Sequence, residues 1–132
     1  AHMTLNEILA RVDDETPNQY ETALKAAWVE EIDRKILREI ILAREELNGF
    51  RREIGRYNPE NGETIILILP DEFSGIYTHY LETKIHYHNA EMSKYNAAVS
   101  LFNTQYEEFR AWYFRSHKQT GKWRPRFGGA RE

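Results

Sequence analysis

From Ile76 to Thr120 the chain runs for 45 residues without a proline or glycine, and ten of its 17 aromatic side chains lie in that run. Large or apolar side chains recur there at Tyr77, Leu81, Ile85, His88, Met92, Tyr95, Val99, Phe102, Tyr106, Phe109 and Tyr113, spaced by threes and fours. Only a helix holds such a series on one face. The spacing therefore predicts two long C-terminal helices with a bend near Asn89, or one long bent rod. A stripe of this length needs a matching surface, and the rest of the chain offers only one other long helix, so part of the stripe is expected to meet another subunit.

The expected architecture is mainly α: a small helical bundle with a short extended segment and a flexible basic C-terminal arm. Thr4 and Glu7 match a capping box, and Leu5, Ile8, Leu9 and Val12 then predict a short helix to about Asp13. Asp14 to Gln19 reads as a turn. A second helix is predicted from Glu21 or Thr22 to Leu47, stopped by Asn48 and Gly49, with Leu24, Trp28, Ile32, Ile36 and Ile40 on its buried face. Leu37, Ile41 and Leu42 widen that face, which makes this helix the expected centre of the fold. Phe50 to Glu63 reads as a long exposed loop carrying Arg51, Arg52 and Arg56. Thr64 to Leu69, closed by Pro70, reads as one buried extended segment without a strand partner in the chain. It must pair with the preceding loop or with another subunit. Helices from about Phe73 to His88 and from Glu91 to His117 complete the expected order.

At 132 residues the chain fits a single domain, placed at residues 4–117. Ala1, His2 and Met3 read as a vector remnant, and residues 118–132 as the arm. The sequence contains no cysteine, which excludes disulfides, thiol catalysis and zinc–thiolate sites. It shows no membrane span or signal peptide, so a soluble cytoplasmic product is expected. Net charge is −3 but divides unevenly, with +4 on Lys118 to Glu132 and −7 on the remainder. A basic arm on an acidic body suits an acidic partner, nucleic acid or protein, although a solvated tail is the commoner meaning of such a run.

The sequence carries no catalytic signature. His79, Glu82 and His86 share a helix face, but that face lies opposite the apolar stripe, on the expected solvated side, so no tight metal site is predicted. His88 lies on the stripe and reads as a hydrogen-bonded core or interface histidine. Glu30, Glu31, Asp33, Glu39, Glu45 and Glu46 alternate with Arg34, Lys35, Arg38 and Arg44, the pattern of a salt-bridged helix surface. The sequence holds no nucleophile elbow, zinc-protease motif, phosphate loop or dinucleotide fingerprint. No enzymatic activity, cofactor or metal is expected. The arm interleaves Lys122, Arg124 and Arg126 with Trp123 and Phe127, a composition that stacks on bases or docks in a protein groove and orders on binding. Protein docking is favoured, because the acidic body repels a phosphate backbone.

Residues 17–41, PNQYETALKAAWVEEIDRKILREII, and residues 68–113, from ILPDEFSGIYTHY to FRAWY, resemble the head-tail connector, adaptor or head-completion proteins of siphophages and prophages. The carrying features are Trp28 with Glu31, Asp33 and Arg38; Pro70 before its helix; Tyr77 to Lys84; and Tyr95, Asn96, Phe102, Asn103 and Tyr106. The resemblance implies a virion structural protein that docks as a twelvefold ring beneath the portal and extends the DNA channel toward the tail. Portal protein and neighbouring connector or stopper subunits are the implied partners. The implied location is the host bacterial cytoplasm during assembly, then the head-tail interface of the virion. Arg51, Arg52, Arg56, Lys122, Trp123, Arg124, Arg126 and Phe127 are the expected interface residues, mobile in a monomer and ordered in the assembly. The rival reading is a small nucleic-acid-binding packaging accessory that uses the same arm and Arg-rich loop on phosphate.

Overall fold

The computed structural model describes residues 1–45 and 53–117. The order of elements is β1 (His2–Thr4), α1 (Leu5–Glu15), α2 (Thr22–Ile36), a π-helical turn (Leu37–Ile41), α3 (Leu42–Glu45), a 3-10 turn (Pro59–Asn61), β2 (Ile66–Pro70), a second 3-10 turn (Asp71–Phe73), α4 (Gly75–His88) and α5 (Met92–Ser116). This is the mainly helical fold expected, with long C-terminal helices and one small sheet. The stop signal at Asn48 and Gly49, residues Phe50, Arg51 and Arg52, and the whole arm lie outside the described residues.

Helix α1 starts as its sequence dictates. The Thr4 hydroxyl accepts from the Glu7 N–H, and the Glu7 carboxylate accepts from the Thr4 N–H, so two helix-end donors are satisfied reciprocally. Leu5, Ile8, Leu9 and Val12 are buried, each contributing about 1.5–3 kcal/mol by leaving water. The helix runs on through Asp14, where a turn was expected, and closes when the Thr16 N–H donates to Val12 O.

The expectation of an unpartnered strand is corrected. β2 pairs antiparallel with β1, His2 opposite Pro70 and Thr4 opposite Ile66, across an irregularity in register. The Leu5 N–H donates to Ile65 O, and the Asp71 N–H to Ala1 O. The residues read as a vector remnant thus supply the partner of β2. Leu67, Ile68 and Leu69 are all buried, so both faces of β2 are covered.

Helix α2 carries Ala26, Trp28, Val29, Ile32 and Ile36 into the core. Leu24, expected on that face, is 43% exposed. Beside it Lys25 is buried instead, donating to Asp13 Oδ1 (2.6 Å) and Asn18 Oδ1 (3.0 Å), so the first turn of α2 is fastened to α1 by polar contacts. At Leu37–Ile41 the helix widens, and the Leu42 N–H donates five residues back to Leu37 O. The extra residue rotates the register, which lets Leu37, Ile40 and Ile41 all be buried.

Helices α4 and α5 form an antiparallel hairpin, and the continuous rod is excluded. Its turn is a Schellman motif: the Glu91 N–H donates to His86 O and the Ala90 N–H to Tyr87 O. Ala90, at φ 59°, holds the left-handed position that such motifs usually give to glycine. Left-handed backbone costs an alanine roughly 1–2 kcal/mol, more than the added unfolded-state entropy of a glycine. Ala90→Gly is therefore expected to stabilise the fold by about 0.5–1 kcal/mol, as a rise in denaturation midpoint at constant slope. A lower midpoint would contradict the strain ascribed to Ala90.

Helix α4 shares the centre of the fold with α2. It lies between α1 and α2 on one side and α5 on the other, and buries Ile76, Tyr77, Leu81 and Ile85 together with Thr78 and Thr83 around its circumference. One apolar cluster joins Trp28, Ile32, Ile36 and Ile40 to Leu81, Ile85, Phe102, Tyr106 and Phe109. Val99, expected there, is half-buried, and the stripe breaks at the bend, where His88 and Met92 are exposed.

Candidate functional site

Glu30, Glu31, Asp33, Glu39, His79, Glu82 and His86, which sequence singled out as chemically suggestive, are held in structural contacts. Asp33, with none of its surface exposed, sits on the apolar side of α2 between Val29 and Ile36. Its carboxylate accepts from the Tyr77 hydroxyl (2.6 Å), the Tyr57 hydroxyl (2.5 Å) and, at 3.4 Å, the Ile68 N–H. The Tyr77 hydroxyl in turn accepts from the Leu69 N–H at 2.9 Å. Burial, and then the Asp33 charge, push the Tyr77 phenol well above its ordinary range, so it acts as a fixed donor. This network ties α2, α4, β2 and the segment before β2 into one body. Salt-bridged surface was the expectation for Asp33, and its place at i+4 from Val29 and i−3 from Ile36 was the overlooked signal.

The segment expected as an exposed loop is exposed at Glu53, Gly55, Arg56, Asn58, Glu60, Asn61 and Glu63, but it is anchored to the body at a few points. Ile54 is buried, the Tyr57 N–H donates to Glu30 Oε1 (2.9 Å), and Asn58 caps the 3-10 turn through Glu60 N–H. A Cβ at Gly62 would come within 2.0 Å of the Asn6 side-chain oxygen, so any other residue there would make Asn6 shift. Arg56 is exposed on this anchored segment near Glu30. Burial acts to raise the Glu30 pKa, but the Tyr57 N–H and Arg34 outweigh it and hold the group low. Of the expected interface residues only Arg56 is described; Arg51, Arg52, Lys122, Trp123, Arg124, Arg126 and Phe127 fall outside the described residues.

The polar face of α4 is a second correction. His79, Glu82 and His86 are half-buried, not solvated: Glu82 accepts from the Thr16 hydroxyl (3.1 Å) and contacts His79 (3.0 Å), while His86 contacts Glu91 (2.9 Å). The three are committed to fixing α4 against the end of α1 and the hairpin turn. Among the described residues no group of three His, Cys, Asp or Glu side chains is arranged to hold a metal ion. No helix among them is long and apolar enough to cross a membrane.

Two aromatic surfaces stand out among the described residues. At the hairpin tip a chain of ring contacts runs from Tyr20 through Trp28 and His88 to Tyr87 and Tyr95. His88 stacks flat on Trp28, centroids 5.8 Å apart at 9°, so ring packing rather than the expected hydrogen bond holds it. Tyr87, Met92 and Leu24 stand exposed around these rings. Next to them a cleft of about 540 Å³ lies between α4 and α5, lined by Tyr80, Lys84, Tyr87, Tyr95, Val99 and Phe102. Glu31 closes its α2 side, accepting from the Tyr80 hydroxyl and pairing with Lys84 at 3.0 Å. Burial raises the Glu31 pKa less than these two donors lower it, so the group stays ionised. The second surface is an aromatic cleft at the C-terminal end of α5. Neither surface pairs a nucleophile with a base or sets two carboxylates apart for acid–base work. No family model matches the chain, and no curated protein or solved structure does.

Proposed function

We propose that this chain is a virion structural adaptor without enzymatic activity, docking as a ring on the portal of a tailed phage and extending the DNA channel toward the tail. The observation that carries the reading is the exposed aromatic tip of the α4–α5 hairpin, with Tyr87, Met92 and Leu24 around the Trp28–His88 stack. Aromatic side chains gathered at an exposed rim suit a protein interface, where they supply large contact area with few rotatable bonds. The two segments that resemble connectors correspond to α2 and to β2 through α5, which pack on one another. The Glu30, Glu31, Asp33 and Glu82 carboxylates being committed to hydrogen bonds within the fold is consistent with an assembly role.

The test mixes the purified chain with a tailed-phage portal protein and follows the sedimentation of the complex. A discrete ring-sized species, weakened by Tyr87→Ala with the melting temperature unchanged, is the expected result. A titration with duplex DNA against salt runs alongside, because phosphate neutralisation gives an affinity that falls steeply as salt rises. Steep DNA binding without a portal complex would replace this reading with the packaging-accessory one.

A further inference from the structure

We infer that the exposed face of α5 joins two copies of this chain as an antiparallel helix pair, with the twofold axis passing beside Leu101. From Tyr95 to Tyr106 the helix carries no Asp, Glu, Lys or Arg over 12 residues, although 30% of the chain is charged. Asn96, Ala97, Ser100, Leu101, Asn103 and Thr104 in that stretch are nevertheless exposed, Leu101 by 50%. The outer face of a helix in water ordinarily carries charge, and depletion of charge marks a surface that another protein covers.

One exposed leucine does not say what covers it; the charges on either side of it do. Lys94 and Glu108 lie seven residues before and seven after Leu101, about two helical turns each way, so all three share one face. Ala97 and Thr104 stand between them on that face and are small enough for a second helix axis to approach within about 8–10 Å. Turned about an axis beside Leu101, the face is its own complement: the two Leu101 side chains meet, and each Lys94 lies opposite the partner's Glu108. A parallel pairing would set Lys94 against Lys94 and Glu108 against Glu108. A partner carrying one sign of charge would be attracted at one end of the face and repelled at the other, so the pattern fits a second copy. Both charges are available for it. The Lys94 side chain is 66% exposed and its ion pair with Glu91 is 3.7 Å long. Glu108 is exposed and makes no ion pair among the described residues.

The contact does not rest on the connector reading. Met92, nine residues before Leu101, projects from the opposite side of α5, so the aromatic tip of the hairpin stays open in the dimer. An isologous contact closes on itself, so this pairing yields a dimer and adds nothing to the growth of a ring.

The test is sedimentation equilibrium of the full chain with no portal protein present. One helix face makes a small interface of the transient class, so the mass is expected to climb from 15.7 kDa toward twice that value over roughly 10–100 μM. Lys94→Glu and Glu108→Lys should each weaken self-association at least about tenfold, because each sets like charges together at both ends of the pair. Both positions are exposed, so the melting curves of these variants stay unchanged. Mixing the two variants should restore the dimer, since one face is then wholly acidic and the other wholly basic. Leu101→Ser removes the central contact and should leave a monomer over the same range. A natural chain that stays monomeric, a mass that grows beyond the dimer, a dimer that withstands both charge reversals, or variants that fail to associate when mixed would each overturn the proposal.

Discussion

Asp33→Ala is expected to lower stability by roughly 3–5 kcal/mol, a fall in melting temperature on the order of 10–15 °C for a domain of this size. Two effects oppose one another. Removing a buried carboxylate relieves the cost of holding a charge away from water, several kcal/mol in favour of the variant. Against it, the Tyr57 and Tyr77 hydroxyls lose their acceptor and the Ile68 N–H its contact at 3.4 Å, leaving buried donors that each cost about 1–3 kcal/mol. A cavity opens between α2, α4 and β2 as well, and its walls do not collapse fully. The donors and the cavity outweigh the relief, because the Tyr77 hydroxyl also accepts from Leu69 N–H and cannot turn away without breaking that bond too. Asp33→Asn separates the terms: it keeps the shape and one acceptor oxygen, so a smaller loss is expected. If Asp33→Ala melted within about 2 °C of the natural chain, the network would not be what joins these elements.

How far the sequence could be read follows from the range of each signal. Local chemistry was legible: the Thr4–Glu7 capping box, the helix break at Asn89 and the extended run before Pro70 each involve residues a few positions apart. With alanine rather than glycine at position 90, no residue in the sequence marked the Schellman turn, whose left-handed position Ala90 holds. Contacts across many residues were the ones missed. Tyr57 meets Asp33 over 24 positions and Tyr77 meets it over 44, and nothing local marks such partners. Asp33 itself was legible, since it sits in register with Val29 and Ile36, but reading it among its acidic neighbours hid that register.

The candidate surfaces were legible only in kind. An aromatic excess on the last two helices announced exposed rings without saying which. The bend decided it, turning His88 onto Trp28 and leaving Met92 and Tyr87 outside. The π-helical turn had a similar effect at the other end, rotating Ile41 toward the cleft beside Trp112, and no periodicity argument that assumes a regular helix anticipates that rotation.

Trp28→Ala is expected to cost roughly 3–5 kcal/mol, the range for removing a large aromatic side chain from a core. Trp28 is buried on α2 between the edge of Tyr20, 5.9 Å away at 62°, and the face of His88. Tyr20 also donates its hydroxyl to Asn89 Oδ1 at 2.6 Å, so Trp28 braces the contact between the α1–α2 connection and the hairpin turn. Its loss should loosen the tip as well as lower the melting point, seen as faster amide exchange at Asn89 and Ala90 than the global destabilisation alone produces. Trp28→Phe retains a ring against His88 and should recover part of both effects. Leu24→Ala, one turn earlier and 43% exposed, is the control expected to change stability by no more than about 0.5 kcal/mol. Equal melting of the Trp28→Ala and Leu24→Ala chains would mean that the Trp28–His88 stack is a surface contact, and the hairpin tip would then owe its position to the Schellman turn and the Tyr20–Asn89 hydrogen bond.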